Sequence, residues 1–163
     1  MIYPISIDSI NNSTEFYSEI IPLVEDAKSY LFQHSWCKKI SSGWLFTNIG
    51  YAVCIFLFEI ENAQSKEDNL IWVIVGDFPS MYLDTYNVHS TKEVLETYIE
   101  LVNEWITTVE SKQSLDECYP LNSLQTDESL EMLKKRIGLL ENQILSNIDE
   151  INFSAVFGNS KAI

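Results

Sequence analysis

The sequence predicts an α+β fold, a small antiparallel sheet of three to four strands packed by an N-terminal helix and two C-terminal helices. Three observations carry this. The middle of the chain holds apolar runs rich in Val, Ile and Phe. Short connections such as Asn48-Ile49-Gly50 and the polar stretch from Asn62 to Asn69 join those runs as hairpins. The segments on either side instead repeat apolar residues at three- and four-residue steps, the period of a helix with one buried face. With 163 residues, 46% hydrophobic and 12% aromatic, the chain has the size of one domain and enough apolar surface for a core.

Residues 2–7 alternate weakly around Pro4 and suit an edge strand or plain extended chain. The first helix starts at Ser13 or Thr14, either of which can cap it, and carries Phe16, Ile20, Leu23, Val24, Ala27, Tyr30 and Leu31 on one side. Pro22 removes a backbone donor inside that pattern and predicts a kink or a late start. Lys39 to Phe46 reads as a strand interrupted or bulged at Gly43; Tyr51–Ile60 and Leu70–Val75 read as buried strands. Met81–Asp84 resumes as a fourth strand after Gly76-Asp77-Phe78-Pro79. Ser90-Thr91-Lys92-Glu93 is a capping box, and Val94, Leu95, Tyr98, Leu101, Val102, Trp105, Ile106 and Val109 form the apolar face behind it. Thr126 or Asp127 opens the last helix, with acids in its first turn and a stripe through Leu130, Leu133, Ile137, Leu140 and Ile144 that Ile148 and Ile151 extend. That stripe packs on the sheet or, if exposed, serves as a coiled-coil seam for an adaptor.

Charge is the extreme feature. Twenty-four acidic residues against ten basic ones give a net charge of −14, and Arg136 is the single arginine. Such a chain is repelled by phosphate backbones and anionic lipids, which disfavours nucleic acid and membranes as partners. Solubility alone accounts for the excess, or it is concentrated on a surface that meets a basic partner. No basic residue precedes an apolar stretch at the N-terminus, and three cysteines at unpatterned spacings (Cys37, Cys54, Cys118) read as reduced thiols, so a cytoplasmic protein is expected.

The sequence motifs of nucleotide binding, acyl transfer and metalloprotease chemistry are missing. His34 and Cys37 have the spacing of half a metal site but lack a second pair, so no metal or cofactor is expected. Asp77 is read as a turn residue whose side chain bonds the backbone two residues on, with Gly76 supplying conformational freedom and Pro79 holding Phe78 extended. The competing reading makes Asp77 and Asp84 the carboxylates of an enzyme site at the sheet end. On the second helix Glu93, Glu96, Glu100 and Glu104 step by three and four, with no lysine four residues beyond Glu93, Glu96 or Glu100 to relieve them. The row is either a solvated face or an acidic docking surface, which Glu59, Glu61, Glu67 and Asp68 near the sheet edge would enlarge. Tyr82, Asp84 and Tyr86 are candidate partner contacts, the two tyrosines as aromatic anchors; Trp105 is a further anchor unless it belongs to the core.

"WVIVGDFPSMYL", the Ser-capped helix with "YIELVNEWI" and the Thr-started helix with "LKKRIGLLENQIL" resemble a family of small bacterial proteins with a Trp-hydrophobic-Gly-Asp-x-Pro strand end. That resemblance covers roughly residues 36–145. In its size, acidity and single-domain layout the chain also resembles immunity proteins of polymorphic toxin systems such as contact-dependent growth inhibition. The resemblance implies a non-enzymatic protein that neutralises a cognate toxin, such as a nuclease, by occluding its basic active-site cleft. It carries over no catalytic residue.

Overall fold

Five strands form one antiparallel meander in chain order: β1 (Ile5–Ser6), β2 (Cys37–Ile49), β3 (Val53–Asn62), β4 (Leu70–Gly76) and β5 (Met81–Asp84). Helix α1 (Glu15–Phe32) covers one face; α2 (Thr91–Glu110) and α3 (Asp127–Leu139) cover the other. The computed structural model describes residues 2–11, 14–66 and 69–157. The α+β class and the order of elements are as the sequence predicts, but the sheet has one strand more than three to four. The addition is β1, whose two residues pair Ile5 with Leu45 and Ser6 with Trp44. It falls within residues 2–7, which the sequence leaves open between an edge strand and extended chain.

Both faces being covered explains why β3 and β4 are unbroken apolar runs. Val53, Ile55, Leu57, Trp72 and Ile74 enter the core under α2 and α3; Cys54, Phe56, Phe58, Ile71, Val73 and Val75 point to α1. The Trp72 indole is fully buried and donates to the Val88 carbonyl at 2.8 Å, so its one polar atom is satisfied.

β2 spends thirteen residues against the ten of β3. Register shifts at Lys38, Ser41 and Phe46 absorb the three extra residues, and each adds local twist. The irregularity expected at Gly43 therefore falls two residues earlier. Gly43 itself pairs in register with Phe58, whose ring would lie 2.6 Å from a Cβ added there. The connection to β3 is also displaced. Asn48 and Ile49 still belong to β2, while Tyr51 and Ala52, which read as the start of a strand, make the turn with Gly50. Gly50 and Tyr51 both have positive φ, and the Asn48 side chain holds the turn by accepting from the Tyr51 N–H at 2.9 Å.

Thr14 caps α1, its hydroxyl accepting from the Tyr17 N–H at 3.1 Å; Ser13 lies outside the described residues. The late start expected from Pro22 does not occur. The helix runs through Pro22, which lies on the solvent side, as does Ser18, whose carbonyl loses that donor. At α2 the Ser90 hydroxyl accepts from the Glu93 N–H, but its own proton reaches Glu150 at 2.9 Å as well as Glu93 at 3.3 Å. Glu150 belongs to a strap, residues 149–153, that closes over this helix start. The buried Thr91 hydroxyl donates to the Asp149 carbonyl at 2.6 Å and accepts from the Ile151 N–H at 2.9 Å. Thr91 N–H reaches the Ile151 carbonyl and Phe153 N–H reaches the His89 carbonyl.

Thr126 caps α3, and Asp127 and Glu128 fill its first turn. The helix then widens through Leu140–Ile144 and tightens through Leu145–Asn147. Leu130, Leu133, Ile137, Leu140 and Ile148 are buried in the core shared with α2 and the sheet. The stripe therefore has no exposed seam, and the adaptor reading built on one is overturned. Among the described residues no helix is long and apolar enough to cross a membrane.

Candidate functional site: an aromatic cleft at the sheet edge

β5 is the last strand, so its outer edge has no strand neighbour. An open edge leaves N–H and C=O groups that must find other partners. At Tyr82 a single side chain meets both: the Tyr82 N–H donates to the Tyr119 hydroxyl at 3.1 Å, and that hydroxyl donates to the Tyr82 carbonyl at 2.9 Å. Tyr119 comes from the connection between α2 and α3. The Tyr30 hydroxyl, from the last turns of α1, lies 3.4 Å from that of Tyr119.

Around this edge the rings pack closely. His34 has its ring centre 5.1 Å from Tyr30, 5.0 Å from Trp36 and 4.8 Å from Tyr82, and Trp36 lies 4.9 Å from Tyr82. His34 Nδ1 faces two acceptors, the carbonyls of Tyr30 at 3.0 Å and Leu31 at 3.3 Å, so Nδ1 carries the proton and caps the end of α1. The H-x-x-C spacing thus serves a helix end, and Cys37 is buried. Among the described residues no group of three His, Cys, Asp or Glu is placed to hold a metal ion.

Trp36, Tyr82 and Tyr119 line an open cleft of about 650 Å³. Asp84, two residues beyond Tyr82 on β5 and so on the same face of the strand, lines it too, as do Asn87 and Thr97 and, from the end of β3 onward, Asn62, Gln64 and Ser65. Asp84 Oδ1 accepts from the Asn87 N–H at 2.9 Å, while Oδ2 takes no hydrogen bond among the described residues. The cleft unites two residues named from the sequence, Tyr82 and Asp84, with Trp36 and Tyr119, which sequence reasoning missed. The signal for Trp36 was His34-Ser35-Trp36 directly after an amphipathic helix; Tyr119, alone in a polar loop, left none.

The other named residues fall around this cleft or away from it. Glu96, Glu100 and Glu104 are exposed along α2 and have no side-chain partner among the described residues. Glu93 is partly tied up by Ser90 and lies 3.9 Å from His89. Thr97, one turn beyond Glu93 on the same side, reaches the cleft, so the acidic row borders it. Tyr86 sits on the loop entering α2, 83% exposed, its carbonyl held by His89 at 2.9 Å. Trp105 is buried and belongs to the core. Glu59 and Glu61 lie at the end of β3, just before Asn62, which lines the cleft; Glu67 and Asp68 are outside the described residues.

Asp77 is exposed and its carboxylate takes no hydrogen bond among the described residues, so the side-chain turn bond expected for it does not form. The turn is closed by its backbone, through an N–H to the Ala52 carbonyl at 3.0 Å. A separate hollow of about 480 Å³ adjoins it, lined also by Arg136, Leu124 and Met132. Asp84 lines the first cleft and Asp77 the second, so the fold does not assemble them into a carboxylate pair.

Burial raises the pKa of Tyr30, Tyr82, Tyr98 and Tyr119 above the ordinary phenol value, and it pushes the Cys54 thiol up to about 12. For each group the folded state holds its proton more tightly than the unfolded chain. The resulting stability is intact below the unfolded values, near 9 for the thiol and 10 for the phenols, and is lost progressively as pH rises above them toward the raised folded-state values. Thermal midpoints are therefore expected to fall steeply above pH 9, with tyrosinate absorbance rising at unfolding. A flat midpoint up to pH 11 would contradict the burial of these groups. Comparison with protein-family models, curated proteins and solved structures finds no match to this chain.

Proposed function

We propose that the protein is a non-enzymatic binding protein that engages a basic protein partner, and that its role is to neutralise a cognate bacterial toxin in the cytoplasm. The observation that carries this reading is the row Glu96, Glu100 and Glu104, exposed on one helix without partners among the described residues. Three carboxylates that form no ion pair among the described residues repel one another at these spacings. Facing a Lys/Arg-rich surface, the same carboxylates speed encounter and fix orientation. The net charge of −14 and the resemblance to immunity proteins point the same way. A toxin with a basic cleft, such as a nuclease, suits such a face, because carboxylates can stand where its substrate phosphates would bind.

The test is genetic. Deletion of the gene is expected to harm the host only while the product of the adjacent upstream gene is active. Deletion that is harmless whether or not that product is active would overturn the antidote role.

A further inference from the structure

We propose that the cleft at the edge of β5 is an anchor pocket for a single cationic side chain, in the first place the guanidinium of an arginine, presented by the protein partner. The inference rests on the binding role above and deepens it by naming the site where the partner is gripped. Its starting point is the chemistry of the walls. Trp36, Tyr82 and Tyr119 are half-buried rings that border open space. Aromatic faces carry the negative part of the ring quadrupole and attract cations. Asp84 supplies the counter-charge. Its Oδ1 is fixed by Asn87, which holds the carboxylate in place while Oδ2 takes no hydrogen bond among the described residues.

Charge selects the occupant. Among the described residues lining the cleft Asp84 is the one ionised group, and none is Lys or Arg. The helix carrying Glu93, Glu96 and Glu100 borders it through Thr97, so the surrounding field is negative as well. An anion would meet that field and the ring faces with nothing to offset either. A neutral apolar side chain would leave Asp84 uncompensated. Arginine fits better than lysine because its planar, weakly hydrated guanidinium stacks on a ring and forks onto a carboxylate at once.

The rings are also held in place. Tyr119 is fixed by two bonds to the Tyr82 backbone, and Tyr82 packs against His34, itself tied to the end of α1. A wall that does not have to order on binding loses little entropy when the cation enters.

The experiment uses the whole chain and Nα-acetyl-arginine amide, with the citrulline analogue as a neutral isostere. The readout is the Trp36 indole N–H signal in two-dimensional NMR, assigned through Trp36→Phe. The arginine probe is expected to shift that signal saturably, with half-saturation in roughly the millimolar range, and citrulline to leave it unmoved. Asp84→Asn, which keeps the Oδ1 acceptor for Asn87, and Tyr82→Ala are each expected to weaken binding about fivefold or more. Neutralising Glu96, Glu100 and Glu104 to Gln should weaken it less than Asp84→Asn does. A linear response, equal shifts from citrulline, or full binding by Asp84→Asn overturns the anchor pocket and leaves association through α2 standing. Saturable arginine binding alongside a failed genetic test supports the pocket and removes only the toxin as its partner.

Discussion

Replacing Gly76 with alanine is expected to destabilise the fold by about 4 kcal/mol or more, an effect beyond most single substitutions. Gly76 ends β4 with φ at +153°, and a Cβ built there would lie 1.8 Å from the Ala52 carbonyl oxygen. That oxygen is part of the backbone and cannot swing aside, because it accepts the Asp77 N–H at 3.0 Å. Relief would require β3 and β4 to separate at the point where Val53 pairs with Gly76. The next residues depend on that junction. Phe78 is buried with its ring centre 5.1 Å from Tyr98, and the Pro79 carbonyl accepts the Tyr98 hydroxyl at 2.7 Å. Asp77→Ala, which removes an exposed carboxylate without a partner among the described residues, is expected to change stability by no more than about 0.5 kcal/mol. Urea midpoints of the two variants measure the contrast. A tolerant Gly76 or a costly Asp77 would contradict a junction set by the close approach of the Gly76 backbone to Ala52.

Changing Glu96, Glu100 and Glu104 together to lysine is expected to slow association with the upstream gene product by about a hundredfold at low salt. The glutamine version should slow it less, since it removes attraction without adding repulsion. Both differences should shrink as salt rises, because exposed charges more than about 8 Å apart are screened at physiological ionic strength. Stability provides the control. Glu96–Glu100 and Glu100–Glu104 are like-charge pairs four residues apart, each costing the helix about 0.2–0.5 kcal/mol, so the glutamine variant should be slightly more stable than the native chain. A variant that folds better and binds more slowly separates the two roles. Unchanged association rates across all three proteins would remove the electrostatic mechanism.

The parts of the fold legible in the sequence were those with a long, regular signal. β3 and β4 announced themselves as apolar runs because both sheet faces are covered, and α2 through its Ser90 cap and unbroken apolar face. Bulges have no such signature. The extra residues Lys38, Ser41 and Phe46 are extra only relative to β3, a relation that exists once the strands are paired. The conspicuous Gly43 drew the irregularity to itself when its actual use is to make room for Phe58. The cleft was harder still. Its rings come from residues 36, 82 and 119, contributed by a strand entry, an edge strand and a loop, with Tyr30 and His34 at the end of a helix packed behind them. Tyr82 and Asp84 could be singled out as neighbours on β5, but their partners are adjacent only in space.

The strap over the start of α2 bears on the order in which the chain can fold. The groups that Thr91 binds lie 58 and 60 residues further along, so a nascent chain exposes α2 well before its first turn can be latched. Closing a segment of that length is entropically costly and tends to come late in folding. Until it closes, the Thr91 side chain has no buried partners and the first turn is free to fray. The acidic row begins in that turn with Glu93, so closing the strap is what holds Glu93 in register with Glu96, Glu100 and Glu104 further along the helix.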